Sequence, residues 1–125
     1  MKRKILCASL GAIALALCLA VPALAHHGWA GNEEKDSELT GTVEQPVSLN
    51  GPHATMKLRA DGQVWDITLA PPPRTEAAGL RADTLPKGAM VTVHGHRNKD
   101  PKRFEMKTER VTYNGKVYNV YPDRE

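Results

Sequence analysis

Cysteine is scarce in this chain of 125 residues, which has only Cys7 and Cys18, both in an apolar run near the N-terminus. From residue 26 onward the sequence contains no cysteine. Disulfide bonds, thiolate metal sites and thiol nucleophiles are therefore excluded from that part of the chain. A lipoprotein signal would need a small residue before the cysteine, and Leu17 precedes Cys18, so we do not expect lipid attachment.

Aromatic residues are also few, with two Trp, three Tyr and one Phe. Such a chain has little material for both a complete core and a deep substrate pocket. Ser37 and Ser48 stand in no nucleophile motif, and the sequence has no glycine-rich phosphate loop. The sequence therefore favours a binding protein over an enzyme.

Basic residues outnumber acidic ones by 17 to 14, but the excess consists of Lys2, Arg3 and Lys4 alone. Without these three residues the balance is 14 to 14. A neutral domain lacks the positive excess that is typical of nucleic-acid-binding proteins. Nucleic acid is not an expected partner.

The first 25 residues have the three parts of a secretory signal peptide. The basic residues precede an apolar run over residues 5–20, and Pro22 and the small-residue site Ala23-Leu24-Ala25 follow. The uncharged residues 5–25 could nearly span a bilayer as a retained anchor. Pro22 and the small-residue site favour cleavage instead, so we expect a protein that is periplasmic or secreted and free of the membrane after cleavage. We also expect it to be a monomer.

Residues 26–36 are polar and aperiodic, which predicts an N-terminal arm, with its acidic residues in solvent. Residues 37–125 then form one predicted β domain. Alternating apolar residues place Met56, Leu58, Trp65, Ile67, Val91 and Val93 inward. The same alternation places His94 and His96 outward.

The predicted strands cover residues 38–45, 53–60, 63–69, 89–97, 103–113 and 116–121. Pro46 is expected to limit the first strand, and the triple proline at residues 71–73 is expected to end the third. Residues 75–82 predict a short helix. This order predicts an all-β fold, a small five- to six-stranded OB-like barrel with one short helix between strands 3 and 4. A five-stranded sandwich is the alternative.

Several motifs in the predicted exported chain carry a resemblance to a known family. The chain reads His26-His27-Gly28-Trp29 at the predicted mature terminus, Gly51-Pro52-His53 before the second strand, and Leu85-Pro86-Lys87-Gly88-Ala89-Met90-Val91-Thr92-Val93-His94-Gly95 later. This pattern resembles the DUF6152 family of small exported bacterial proteins of unknown function. Gly51 stands where that family usually has asparagine. The resemblance implies export and a β architecture and carries no known activity.

Cleavage after Ala25 would make His26 the N-terminal residue, with a free α-amine and a ring Nδ1 that can close on one ion. A second imidazole would complete a histidine brace, an all-nitrogen arrangement that suits Cu(II). An arm of about ten residues reaches up to roughly 33 Å when extended. His53 is the preferred second ligand because it stands at a loop-to-strand junction and the resemblance repeats it. His27 is an alternative, and a merely solvated terminus is the simplest interpretation.

The motif His94-Gly95-His96 is a weaker metal candidate. Residues i and i+2 of a strand point the same way about 6.5–7 Å apart, so two imidazoles can converge on one ion. Two exposed histidines on an outer face are the simpler interpretation. The leading hypothesis is therefore a periplasmic copper-binding protein for metal buffering or delivery, with copper held by His26 and His53. The alternative is an OB-type binding or adaptor module for a peptide, glycan or partner protein.

Overall fold

The computed structural model describes residues 29–124, so the predicted signal peptide, His26 and His27 lie outside the described residues. Every element described below lies in the compact unit Gly31–Glu125. The elements are β1 (Ser37–Ser48), β2 (Thr55–Ala60), β3 (Gln63–Thr68), α1 (Pro72–Ala77), β4 (Met90–Arg97), β5 (Glu105–Tyr113), β6 (Lys116–Asn119) and a 3-10 turn (Pro122–Arg124). Within the described residues, no helix has the length and apolar character needed to cross a membrane.

Five of the strands form a closed barrel. They are hydrogen-bonded in the order β3-β2-β1-β4-β5, and β3 also pairs with β5, which closes the ring. The closing pair is parallel, with Ile67 opposite Met106, whereas the other pairs are antiparallel. β6 extends the sheet beyond β5. With α1 between β3 and β4, this is the predicted OB-like barrel, and the fold prediction is confirmed.

The residues that the alternation placed inward all belong to the core. All six of them are 4% exposed or less: Met56, Leu58, Trp65, Ile67, Val91 and Val93. Burial of one such side chain contributes roughly 1.5–3 kcal/mol. Arg97 also points inward, since its guanidinium lies 4.6 Å from the centroid of the Trp65 ring. Because neighbouring side chains of a strand alternate, His96 is then directed to the outer face.

The prediction that Pro46 limits the first strand is wrong, because β1 continues to Ser48. The pairing with β2 shifts register between Val43 and Gln45 and again between Gln45 and Ser48. Pro46 therefore lies in an irregular stretch, where its missing N–H removes no regular ladder bond.

The helix begins earlier than predicted, at Pro72 instead of residue 75, and it ends at Ala77 instead of residue 82. Prolines fit the first positions of a helix, whose N–H groups have no intrahelical partner in any case. The Thr75 hydroxyl donates to the carbonyl of Ala70 at 2.8 Å and fixes the start. Gly79 ends the segment with a φ of +100°, a conformation that glycine adopts without a side-chain clash.

Gly95 allows β5 to approach β4 closely, next to an irregularity in the pairing of the two strands. His94 pairs with Arg110 while Gly95 pairs with Thr108, so Glu109 is an extra residue in β5, a β-bulge. A Cβ on Gly95 would overlap the carbonyl oxygen of Lys107 and lie 2.8 Å from the Cα of Thr108. The bulge in β5 therefore requires a residue without a side chain at position 95.

Replacing Gly95 with alanine should destabilise the barrel, since the clash is with backbone atoms that cannot rotate away. We expect a loss of about 3 kcal/mol, and hence a fall of roughly 10 °C or more in the Tm of a domain of this size. Gly31→Ala is the matched control, because nothing lies within 4 Å of its Cβ position. Thermal unfolding followed by circular dichroism measures both variants. Equal Tm values would show that β5 does not need the close approach.

Candidate metal site

The second half of the N-terminal arm covers the C-terminal end of β4. Asn32 forms an isolated antiparallel bridge with Asn98, and the N–H of Glu33 donates to the carbonyl of Arg97 at 2.8 Å. The side-chain amide of Asn32 donates to the carbonyl of His96 at 2.8 Å. As a result His96 is only 6% exposed, although it faces outward. The prediction of an exposed His96 is wrong, because polar backbone groups of the arm dock over it.

Both nitrogens of the His96 ring face oxygen atoms. Nδ1 lies 2.9 Å from the carbonyl oxygen of Glu33, which can only accept, so Nδ1 carries a proton. Nε2 lies 2.7 Å from Oε2 of Glu109 and 3.4 Å from Oδ1 of Asp36. A backbone carbonyl on one nitrogen fixes the tautomer in which the other can ligate a metal.

These three side chains form a group that could hold a metal ion. One ligand atom from each of Asp36, His96 and Glu109 lies within 4.8 Å of the others. Metal ligands about 2.0–2.2 Å from an ion stand roughly 3.0–3.4 Å from one another. The His96 ring and the Glu109 carboxylate would therefore move apart by a few tenths of an ångström, to admit an ion.

Glu109 is the least exposed member of the group, at 2% of its surface. A buried carboxylate needs partners, since an unpaired buried charge costs several kcal/mol. Glu109 finds them in the His96 ring, in Arg124, whose Nε donates to Oε2 at 3.1 Å, and in Arg110, whose Nη1 lies 4.0 Å from Oε1. A divalent ion would take the place of the Nε2 proton, so the group can exchange a proton for a metal.

His94 lies on the same face but belongs to a different pair. Its Nε2 is 2.7 Å from Oε2 of Glu38, and its side chain is 22% exposed. The group of three possible ligands does not include His94. Each histidine of the motif His94-Gly95-His96 thus faces its own carboxylates.

His53 is half-buried in the loop before β2. Partial burial lowers the pKa of its imidazole, and the positive charge of Lys107 lowers it further. Lys107, whose charge acts on His53, is also the residue opposite His96 in the β4–β5 register. His53 is not a member of the Asp36 group.

Two members of the group have no sequence signal of their own. Glu109 reaches the site only because the bulge shifts β5 by one residue, and strand periodicity does not report a bulge. Asp36 was predicted as part of a solvated arm, and its side chain is indeed 66% exposed. Only the docking of the arm brings it to His96. The histidine motif was the one sequence signal that pointed to this region.

The depressed pKa of His53 predicts a pH dependence. The folded protein favours the neutral ring, so this contribution to stability is complete above the usual pKa of about 6.5 and is lost as the pH falls through the lower folded value. An NMR titration of the His53 ring should give a midpoint below that of a model peptide. Lys107→Gln should raise the midpoint only in part, because burial is the larger cause. A midpoint at or above the peptide value would contradict the described surroundings of His53.

Comparison with solved structures supports the fold alone. A chain of the Stn1–Ten1 complex of S. pombe has a TM-score of 0.50 at 14% identity, and the match covers 62% of this chain and 57% of that chain. The tRNA agmatidine synthetase TiaS, in a complex with its tRNA and ATP, has a TM-score of 0.49 at 19% identity. That match covers 63% of this chain and only 18% of the TiaS chain.

No curated protein matches the sequence significantly. A family described as a family of unknown function, DUF6152, does match, over residues 14–107. The matched region contains the arm, four complete strands of the barrel and the beginning of β5. It includes Asp36 and His96, but ends before Glu109. Since the match covers more than half of the chain, the protein belongs to the DUF6152 family.

Proposed function

We propose that this protein binds a divalent transition-metal ion through His96, Glu109 and Asp36. The observation that carries the proposal is the orientation of one buried ring. The carbonyl of Glu33 accepts from Nδ1 of His96, and this leaves Nε2 directed at two carboxylates. A histidine held in this way is the usual form of a metal-ligating histidine.

The ligand set favours one range of metals. One imidazole and two carboxylates suit Zn(II), Mn(II), Fe(II), Co(II) or Cu(II), and they lack the soft sulfur ligands that Cu(I) prefers. Among first-row divalent ions, such a site has its highest affinity for Cu(II). Three protein ligands leave at least one coordination position for water or a second molecule. That arrangement suits an ion that is stored or handed on.

Removing the central ligand should remove the site. In a calorimetric titration of the protein with Zn(II), His96→Ala and Glu109→Gln should each lose one binding event or weaken it by about 100-fold or more. His94→Ala is the matched control, since His94 pairs with Glu38 on the same strand face. The affinity of this variant for Zn(II) should stay within about twofold of that of the unchanged protein. If His96→Ala binds zinc as the unchanged protein does, the proposed site is wrong.

Export to the periplasm, or secretion, belongs to the same proposal. It rests on the basic start, the apolar run and the small-residue site ending at Ala25. Processing there would also create the proposed second site, a Cu(II) brace made by the α-amine and ring of His26 together with His53, or with His27. The lowered pKa of His53 supports this part, because a neutral imidazole is the form that binds a metal.

The brace depends on a free amine at residue 26, so one extra residue before His26 should abolish it. Both proteins carry His96→Ala, so that the site at His96 does not take up the copper. Electron paramagnetic resonance of the processed protein with one equivalent of Cu(II) should then give an all-nitrogen spectrum. The extended protein, which keeps His26 and His53, should give a different spectrum and a weaker affinity. Identical spectra from the two proteins would rule out the brace, while leaving the site at His96 untouched.

A non-metal OB-type module for a peptide, glycan or partner protein is the second candidate function. A shallow groove of about 300 Å³ on the outside of the barrel supports it, with polar residues from β1, β2 and β3. The groove is lined in part by Gln45, Thr55 and Thr68, and Lys57 and Asp66 form an ion pair there. Such a partner would keep its affinity when His26, His53 and His96 are substituted, whereas a metal-dependent partner would not.

A further inference from the structure

Arg124 contacts the oxygen atom that a bound ion would need. Its Nε donates to Oε2 of Glu109 at 3.1 Å, and this same oxygen lies 2.7 Å from Nε2 of His96. Arg124 belongs to the 3-10 turn Pro122–Arg124 that follows β6. The guanidinium thus occupies a position beside the proposed metal site.

We propose that Arg124 is a built-in competitor for the metal, which holds Glu109 in the metal-free protein and leaves when an ion binds. This inference rests on the proposed function of the group around His96. An ion about 2 Å from Oε2 would lie within roughly 5 Å of the guanidinium, and two positive charges at that distance repel strongly beside a buried carboxylate. One of them has to move away.

Burial determines which group moves. The Glu109 side chain is 3% exposed and is enclosed by β4 and the arm, whereas the Arg124 side chain is 40% exposed. Moving the arginine into water costs little, because its charge regains full hydration. Withdrawing Glu109 would leave a buried carboxylate without the ion.

The backbone limits how far the release extends. The N–H groups of Val120 and Tyr121 donate to the main-chain carbonyl of Glu109, at 2.9 Å and 3.1 Å, and these bonds do not involve the carboxylate. A further anchor of the turn is an exposed ion pair between Arg74 and Asp123, 3.5 Å apart, which contributes little. The N–H of Arg124 also donates to the carbonyl of Tyr121 at 3.1 Å. The side chain of Arg124 is therefore the part that is released, while the backbone of the turn, Val120 and Tyr121 stay in place.

Because of this competition, only an ion that binds the site strongly can displace the Arg124 guanidinium. Mg²⁺ and Ca²⁺ gain little from an imidazole and take oxygen ligands, so they displace the guanidinium poorly. Zn(II) and Cu(II) gain from both the His96 nitrogen and the carboxylates. Arg124 is thus a selectivity residue that needs no bond to the metal.

Zinc titrations of three variants test the inference. Arg124→Gln should bind Zn(II) about tenfold more tightly than the unchanged protein, because the competing charge is gone. Arg124→Lys keeps the charge and should differ by no more than about threefold. Arg103→Gln removes an equal charge from an exposed pair with Glu105, and should stay within about twofold. Equal affinities for the unchanged protein and Arg124→Gln would overturn the competition.

A measurement on the unchanged protein does not depend on any variant. The Nε–H resonance of Arg124 should move to its solvent-exposed position as Zn(II) is added, while the amide signals of Val120 and Tyr121 persist. An Arg124 resonance that stays in place while zinc binds would overturn the inference and leave the metal site standing. If neither the unchanged protein nor Arg124→Gln binds zinc, the proposed function fails, and the inference fails with it.

Discussion

The close approach of β5 to Gly95 is the constraint on which the outer face depends. Only a residue without a side chain leaves room for the Lys107 carbonyl and the Thr108 backbone. At this point β5 contains one extra residue, and the extra residue is Glu109. The bulge therefore places a carboxylate beside His96, although the regular alternation of a strand would not. Gly95 is thus needed both for the packing of β5 against β4 and for the position of Glu109 beside His96.

The same charges that could bind a metal also stabilise the fold without one. The buried carboxylate of Glu109 has the His96 ring, Arg124 and Arg110 beside it, and the arm supplies a carbonyl and an amide to His96. Breaking such a network by removing one partner typically costs about 3–5 kcal/mol. A functional test at this site must therefore separate lost binding from lost folding. Conservative changes and matched controls serve that purpose.

The sequence was sufficient to predict the barrel because its signals are local and repeated. Alternating residues gave the inward faces of β2, β3 and β4. Asp61-Gly62 and Asn114-Gly115, two pairs of a kind that favours hairpin turns, lie between neighbouring strands, and all four residues have a positive φ. The helix was placed between the correct strands, but both of its ends were wrong. Its start was missed because the prolines that stop a strand also begin a helix.

The candidate site was harder to predict, because it is made by irregular features. Asp36, His96 and Glu109 come from an arm, a strand and a bulge, and only the docked chain shows that they meet. The histidine motif predicted a metal site on this face, but its two rings do not share partners. His26, His27 and the signal peptide lie outside the described residues, so the copper brace stays a prediction.

The parallel contact between β3 and β5 has a consequence for when the protein can take up an ion. It joins Asp66 to Glu105, and the site itself gathers positions 36, 96 and 109. Contacts so distant along the chain form late and slowly during folding. The three ligands are therefore not assembled in the unfolded chain. An ion that binds only the folded barrel would stabilise the native state against unfolding.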